Sequence, residues 1–416
     1  MTIQTHTNQK SNELRERARA VIPGGMYGHQ NVALLPDAYP QFMASGRGAR
    51  ITDVDGNEYV DLMCSYGPVV LGHHHAGVER AAAAQRALAD CQNGPSDRMV
   101  ELAEAMVATV APAQWAMFQK NGTDATTLCC TIARAASERR KILVASGAYH
   151  GAAPWCTPRM GGVTPEDRAN LGYFHFNDLE SVIAAADEAG DDFAGIVVSP
   201  FRHDAGFDQE LVDLEFARGV RALCDQRGAA LILDDVRCGF RLHLGSSWEP
   251  LGVDVDLSAW SKAIANGYPL ACVTGNDAYK EAATTVYTTG SFWFSAVAMA
   301  ASLATIEAIR EEGAIDKMRV MGEALRRGLD EQAEQYGVAI NQTGPVQMPY
   351  LTFDDDGRGE HRLGDLFANV SMENGLYLHP RHNWFVSAAM TEEDLGLALR
   401  ATERAFAAVA AQPNVA

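Results

Sequence analysis

Between residues 115 and 274 short apolar runs take turns with longer stretches of helical periodicity, and few folds accommodate that alternation. The runs fall at 115–118, 141–145, 195–199, 229–233 and 271–274, with helices expected at 123–137, 179–189 and 211–227. A run that is apolar at nearly every position suits a strand covered on both faces. Strands and helices in alternation therefore imply an α/β architecture, a mostly parallel sheet with helices on both sides. In such open sheets ligands bind at the carboxyl edge of the strands. The residues that end each run are thus the first place to look for chemistry.

The flanks read differently. A helix is expected at 13–20, ended by Pro23-Gly24-Gly25, and a hairpin over 51–61 turns at Asp55-Gly56-Asn57. Helices follow at 79–90 and 97–110. A long helical stretch from 296 to 336, interrupted near Gly313, leads into strand-like pieces at 347–353, 375–378 and 384–387. The last helix is expected at 391–411, opened by a Thr-Glu-Glu-Asp cap signal. These elements divide the 416 residues into an N-terminal segment (1–55) belonging to a smaller α+β domain, a large domain (56–305), and the rest of the smaller domain (306–416).

With 47% hydrophobic and 21% charged residues the chain has the composition of a globular protein. A net charge of −19 argues against nucleic acid and against anionic membrane surfaces as partners. No apolar run reaches membrane-spanning length, and the first residues lack a signal-peptide core. Eight cysteines are scattered without a paired or metal-binding spacing, which points to free thiols in a reducing cytoplasm. No metal site is expected. The consecutive histidines His73, His74 and His75 cannot all face one ion and are read as a loop.

Leu231-Ile232-Leu233 ends abruptly in Asp234-Asp235, followed by Val236-Arg237-Cys238-Gly239, and a lone lysine follows in Ser261-Lys262-Ala263. A buried acid at a strand end near a lysine is what a pyridoxal phosphate site requires. The lysine carries the cofactor as a Schiff base and the acid keeps the pyridine nitrogen protonated. A loop or metal carboxylate beside an ordinary lysine stays open on these residues alone. Asn121-Gly122-Thr123 opens a helix directly after a buried run, where first-turn N–H groups and a hydroxyl can hold a phosphate; a plain helix cap uses the same letters. Tyr149-His150-Gly151 follows the 141–145 run, and Tyr149 could stack on a planar ring. Ser291-Phe292-Trp293-Phe294 combines a hydroxyl with large aromatics before a helix, as a substrate wall or an interface would.

Together these motifs, with Ser65-Tyr66-Gly67-Pro68, Gly239-Phe240-Arg241 and Phe385-Val386-Ser387, resemble the class III, fold-type I pyridoxal phosphate aminotransferases over most of the chain. The pattern is similar to glutamate-1-semialdehyde aminomutase. The segments around His203 and Phe292 are further similar to bacterial aminopentol aminotransferases. The resemblance implies Lys262 as the Schiff-base lysine and Asp234 as the pyridinium partner. Val236 and Tyr149 would then flank the ring, and Asn121, Gly122, Thr123 and His150 would complete the cofactor site. Ser291 stands where the family donates a phosphate contact from a second subunit, which implies a homodimer.

The implied reaction moves an amino group from a bulky, largely apolar primary amine to a 2-oxo acid such as pyruvate. An aminomutase or racemase of the same family, and more remotely a non-catalytic regulator on the same fold, are the alternatives. Where the aminomutase pattern carries a carboxylate-binding arginine, this chain reads Met26-Tyr27-Gly28-His29. Tyr66, Trp155, Phe292 and Trp293 are the candidate apolar pocket. Arg202, Arg237 and Arg381 are candidate anchors for the oxo-acid carboxylate, unranked at this point.

Overall fold

The strands that the sequence alternation announces lie side by side in one sheet. The computed structural model describes residues 7–31, 35, 36, 38–203, 207–354, 356 and 361–412. Across the sheet the order is Trp115–Gln119, Ala271–Gly275, Leu257–Trp260, Ala230–Asp234, Phe193–Val198, Lys141–Ala145 and Leu171–Phe174. The last five run parallel. Ala271–Gly275 is antiparallel to both of its neighbours. Two of the seven strands, Leu171–Phe174 and Leu257–Trp260, are not signalled by the sequence. The first is a half-exposed edge strand, and Ser258 and Ala259 dilute the apolar signal of the second.

Alternation along each central strand builds two cores. Leu231 and Leu233 join Leu143, Ile196 and Val198 on one face, where the helices Leu179–Ala189 and Leu214–Arg227 add Val182, Phe216 and Val220. Ala230 and Ile232 join Ile142, Val144 and Val197 on the other, under Leu128, Cys129 and Ile132 of the helix Gly122–Ser137. Side chains of a strand point alternately to opposite faces, so one uninterrupted apolar run supplies both cores. Burying each such leucine or isoleucine contributes about 1.5–3 kcal/mol. All of these strands lie in the unit formed by residues 76–204 and 209–315.

The other unit comprises residues 1–75, a short piece at 205–208, and 316–416. It takes in residues up to His75, where the sequence reading drew the division at residue 55. Its four-stranded sheet runs Met43–Arg47, Arg50–Asp53, Glu58–Asp61 and Leu376–Tyr377. The hairpin forms as expected, with Asp53 Oδ1 accepting from the N–H groups of Asp55 (3.0 Å) and Asn57 (2.9 Å). Gly313 (φ +61°) ends the helix Ala296–Glu311 in the left-handed region before Ala314–Tyr336 begins. Thr391 caps Glu392–Ala410 in a capping box with Asp394.

Residues 384–387 are not a strand. The N–H groups of Trp384 and Val386 bond to Pro349 O and Gln347 O of one segment and that of Phe385 to Leu62 O of another, and none of these residues joins a sheet. His73 Nε2 pairs with Asp61 Oδ2 at 2.8 Å, and no metal-binding cluster occurs among the described residues. Among the described residues no helix is long and apolar enough to cross a membrane.

Candidate active site

Asp234 is the last residue of its strand and is 6% exposed. His150, 3% exposed and following the strand Lys141–Ala145 two places along the sheet, donates from Nδ1 to Asp234 Oδ2 at 2.7 Å. The Val236 N–H donates to Asp234 Oδ1 at 3.2 Å. An anionic acceptor strengthens both bonds and fixes the carboxylate's orientation. The second acid points elsewhere. Asp235 accepts from the Ser247 N–H at 2.9 Å and from the Ser247 hydroxyl. Burial, with a smaller push from Asp234, raises its carboxyl to about 7 against those two donors.

Lys262 opens the short turn Lys262–Ala265 after the strand Leu257–Trp260, and its φ of +51° is left-handed. Such a conformation costs a lysine about 1–2 kcal/mol and persists only where the surroundings impose it. They do so here. The Ser261 hydroxyl donates to Leu270 O at 2.8 Å, and the Ser302 hydroxyl of the helix Ala296–Glu311 donates to Ile264 O at 2.6 Å. Burial first, then the guanidinium of Arg237, bring the Lys262 amine down to about 7, with Asp234 opposing. His203 is 8% exposed and packs edge-on against Phe201. Burial, then Arg237 and Lys262, hold its imidazole well below the usual histidine range, so it is neutral.

A third component sits at the start of the helix Gly122–Ser137. Asn121 caps it, accepting from the Asp124 N–H at 3.1 Å and donating to Asp124 Oδ2 at 2.7 Å. The N–H groups of Gly122 and Thr123 precede any intrahelical acceptor and face outward from the helix start. A Cβ on Gly122 would lie 2.6 Å from Val236 Cγ1, and one on Gly151 2.5 Å from Thr123 Oγ1. Backbone is thus brought close to Val236 and Thr123 in a way only glycine allows. The Thr126 hydroxyl donates to His150 O at 2.7 Å, tying the Tyr149–Gly151 turn to this helix.

The structure thus brings Asp234, His150, Tyr149, Val236, Gly122, Thr123, Arg237 and Lys262 into one unit at strand ends and the helix start. These residues fit pyridoxal phosphate. A buried carboxylate is available for a ring nitrogen, an outward-facing helix start for a phosphate, and an amine of depressed basicity for the aldehyde. The imidazole Nε2 of His150 has no partner among the described residues. Two residues outside the sequence reading, Thr126 and Ser247, hold the turns around the site. Thr126 lies one helical turn beyond Thr123, a spacing that could have flagged it; nothing in the spacing flags Ser247.

Of the remaining candidates, Trp155 lies beside the site. Trp155 Nε1 donates to Thr127 Oγ1 at 2.9 Å, with its ring parallel to that of His150 at 6.4 Å. Ser291 and Phe292 are exposed, Phe292 at 64%, and Trp293 lies edge-on to Phe294. Arg202 pairs with Glu210 at 2.8 Å. Tyr66 and Arg381 belong to the other unit, Tyr66 accepting from Gln30 Nε2 at 3.2 Å and Arg381 pairing with Asp365 at 2.6 Å.

Residues 35–389 match the family model of the class-III aminotransferases. An aminopentol aminotransferase of Sphingopyxis macrogoltabida is 48% identical over 403 residues, 97% of this chain and 94% of that protein. A glutamate-1-semialdehyde 2,1-aminomutase of Desulfatibacillum aliphaticivorans is 31% identical over 421 residues, covering 95% and 99%. Among solved structures, the FumI protein of Sphingopyxis sp. MTA144, in its pyridoxal phosphate internal aldimine form, superimposes with a TM-score of 0.94. It is 48% identical to this chain and covers 96% of each.

Proposed function

The chain belongs to the class-III aminotransferases, which use pyridoxal 5′-phosphate, and we propose which amine it takes and how its residues act. The donor is a bulky, largely apolar primary amine and the acceptor a 2-oxo acid such as pyruvate. The observation that carries this reading is the buried Asp234–His150 pair beside an amine of depressed basicity at one sheet edge. The 48% identity to the aminopentol enzyme, and Trp155 stacked beside His150, support a roomy apolar pocket.

When bound, the cofactor's pyridinium ring supplies an electron sink for the charge left at the amine-bearing carbon. Asp234 keeps the ring nitrogen protonated, and His150 holds the carboxylate in place by occupying its other oxygen. Val236 and Tyr149 would flank the ring, while Gly122 and Thr123 would receive the phosphate on their N–H groups and hydroxyl. Lys262 would hold the cofactor covalently between turnovers. Freed when the amine binds, its Nζ would take the proton from the amine-bearing carbon and pass it to the cofactor, and in the second half-reaction it would carry a proton back from the cofactor to C2 of the acceptor. An amine with a pKa of about 7 is well matched to both duties at neutral pH. Ping-pong kinetics follow.

The catalytic unit is a homodimer in which Ser291 reaches the phosphate held by the second subunit. The exposure of Tyr287 (89%) beside Ser291 and Phe292 supports a surface that another chain covers. Its eight free thiols support a cytoplasmic setting. The test is the visible spectrum of the purified protein across a panel of amines. The cofactor band should fade on adding a bulky amine and return with pyruvate. A band that no amine bleaches would overturn the reading. An aminomutase is the second reading, favoured by the 31% identical relative; turnover without any oxo-acid acceptor would establish it instead.

A further inference from the structure

We propose that Ser199 is a cofactor-binding residue, its buried hydroxyl donating to the phenolic oxygen of the pyridoxal phosphate ring. The inference rests on the aminotransferase reading above and adds a residue that holds the cofactor. Val198 is the last residue of its strand and pairs with Leu233 of the neighbouring parallel strand. Ser199 and Asp234 are therefore the next residues of the two strands, at the same level of the sheet's carboxyl edge, where neighbouring strands lie about 4.8 Å apart. Asp234 pairs on its other side with Ala259, three residues before Lys262. The acid thus stands between the serine and the strand that leads to the reactive lysine.

Both side chains turn to the same face. Val197 and Ile232 belong to the core under the helix Gly122–Ser137, Val198 and Leu233 to the opposite one. Alternation then returns Ser199 and Asp234 to the helix side. Pro200 keeps Ser199 extended, so the alternation carries past the last paired residue. Trp248 Nε1 fixes the chain beyond it, donating to Pro200 O at 3.3 Å. Val236 and Trp155 pack on this same face, and Gly122 of the helix start meets Val236 there.

Ser199 is 5% exposed, and its hydroxyl has no partner among the described residues. A buried hydroxyl left so costs stability, which a ligand's acceptor recovers. Pyridoxal phosphate brings four polar groups. Its nitrogen, aldehyde and phosphate are answered by Asp234, Lys262 and the Gly122–Thr123 helix start, which leaves the ring oxygen. That oxygen carries negative charge and takes a donor. A serine hydroxyl supplies one. His150 is also unpartnered at Nε2, but its Nδ1 proton is committed to Asp234, and Nε2 of the neutral ring only accepts.

The experiment titrates cofactor-free wild type and Ser199→Ala with pyridoxal phosphate and with 3-deoxypyridoxal phosphate, which lacks only the ring oxygen, followed by tryptophan fluorescence. The wild type should prefer pyridoxal phosphate, and that preference should fall about 10-fold in the variant, the scale of one hydrogen bond to a charged group. Ser199→Thr, which keeps the hydroxyl, should retain the preference. In the holoenzyme, removing the donor leaves more charge on the ring oxygen and makes the Schiff-base nitrogen beside it more basic. The pH midpoint of the visible band should therefore rise by about one pH unit in Ser199→Ala. The Tm of the cofactor-free variant should be unchanged or higher, because the hydroxyl it lacks has no protein partner. Equal losses of affinity for both compounds, an unmoved midpoint or a lowered cofactor-free Tm overturns the assignment, while the aminotransferase reading stands. A wild type that takes up pyridoxal phosphate but is bleached by no amine sinks that reading alone, and one that takes up neither compound sinks both.

Discussion

At the carboxyl edge of the large sheet Asp234 is enclosed and answered, whereas at 287–294 the rings of Tyr287 and Phe292 stand in solvent. Asp234 is 6% exposed and held by two donors; Tyr287 is 89% exposed and Phe292 64%. Both regions belong to the same unit and both carry candidate site residues. The enclosed region acts through electrostatics, because burial amplifies each charge on its neighbours. The open region has no such leverage within one chain. It acquires a role only when another surface covers it.

If that contrast is right, substitutions in the enclosed region should abolish chemistry and those in the open region should not. The largest effect is expected from Lys262→Ala, with turnover down by at least about 1000-fold in the presence of added cofactor, since both the anchoring amine and the proton carrier go. Steady-state assay of amine consumption decides it, and a variant keeping a tenth of wild-type turnover would refute the assignment. Asp234→Asn should come next, with kcat reduced about 100-fold at unchanged fold, as judged by circular dichroism. Gly122→Ala places a Cβ 2.6 Å from Val236 Cγ1 and should weaken cofactor retention about 10-fold by titration. Adding Val236→Ala should restore much of that loss, and strict additivity of the two would argue against the clash.

The open region gives the smaller effects. Tyr287→Ser with Phe292→Ser should leave protomer stability within about 0.5 kcal/mol. Self-association should weaken about 10-fold by sedimentation. Unchanged association would detach these aromatics from any interface. The last prediction concerns the cofactor-free protein. Because the folded Lys262 amine titrates near 7 and the unfolded one near its ordinary 10.5, the unfolded chain binds more protons between those values. Stability should therefore be lowest at and below pH 7 and recover as pH rises toward 10. Lys262→Met should raise the Tm of the cofactor-free protein at pH 6 more than at pH 10. Asp235 acts with the opposite sign in a separate window, losing stability as pH climbs from about 4 to 7.

Much of the fold could be read before the structure. The five apolar runs are strands of one sheet, the helix at 179–189 has the bounds expected, and Thr391 makes its capping box with Asp394. These are local signals, written in periodicity and cap chemistry. Leu171–Phe174 was illegible because half of an edge strand faces water, and the antiparallel course of Ala271–Gly275 leaves no mark on its composition. Segment 384–387 read as a strand because its residues are apolar and buried, yet burial alone does not make a ladder.

What the sequence by itself determined is the kind of chemistry. A lysine and an acid stand in a motif whose order and spacing match one family, and an apolar run places the acid at a strand end. What only the tertiary structure decided is which of equivalent letters does which task. Asp234 and Asp235 are adjacent and chemically alike. The alternation of side chains at the strand's end turns one toward His150 and the other toward Ser247. The three arginines are likewise identical as letters. One pairs with Glu210, one pairs with Asp365 in the other unit, and one is buried on the turn that follows Asp234. A charge's role depends on what surrounds it at a few ångströms, and those neighbours come from segments distant in the chain.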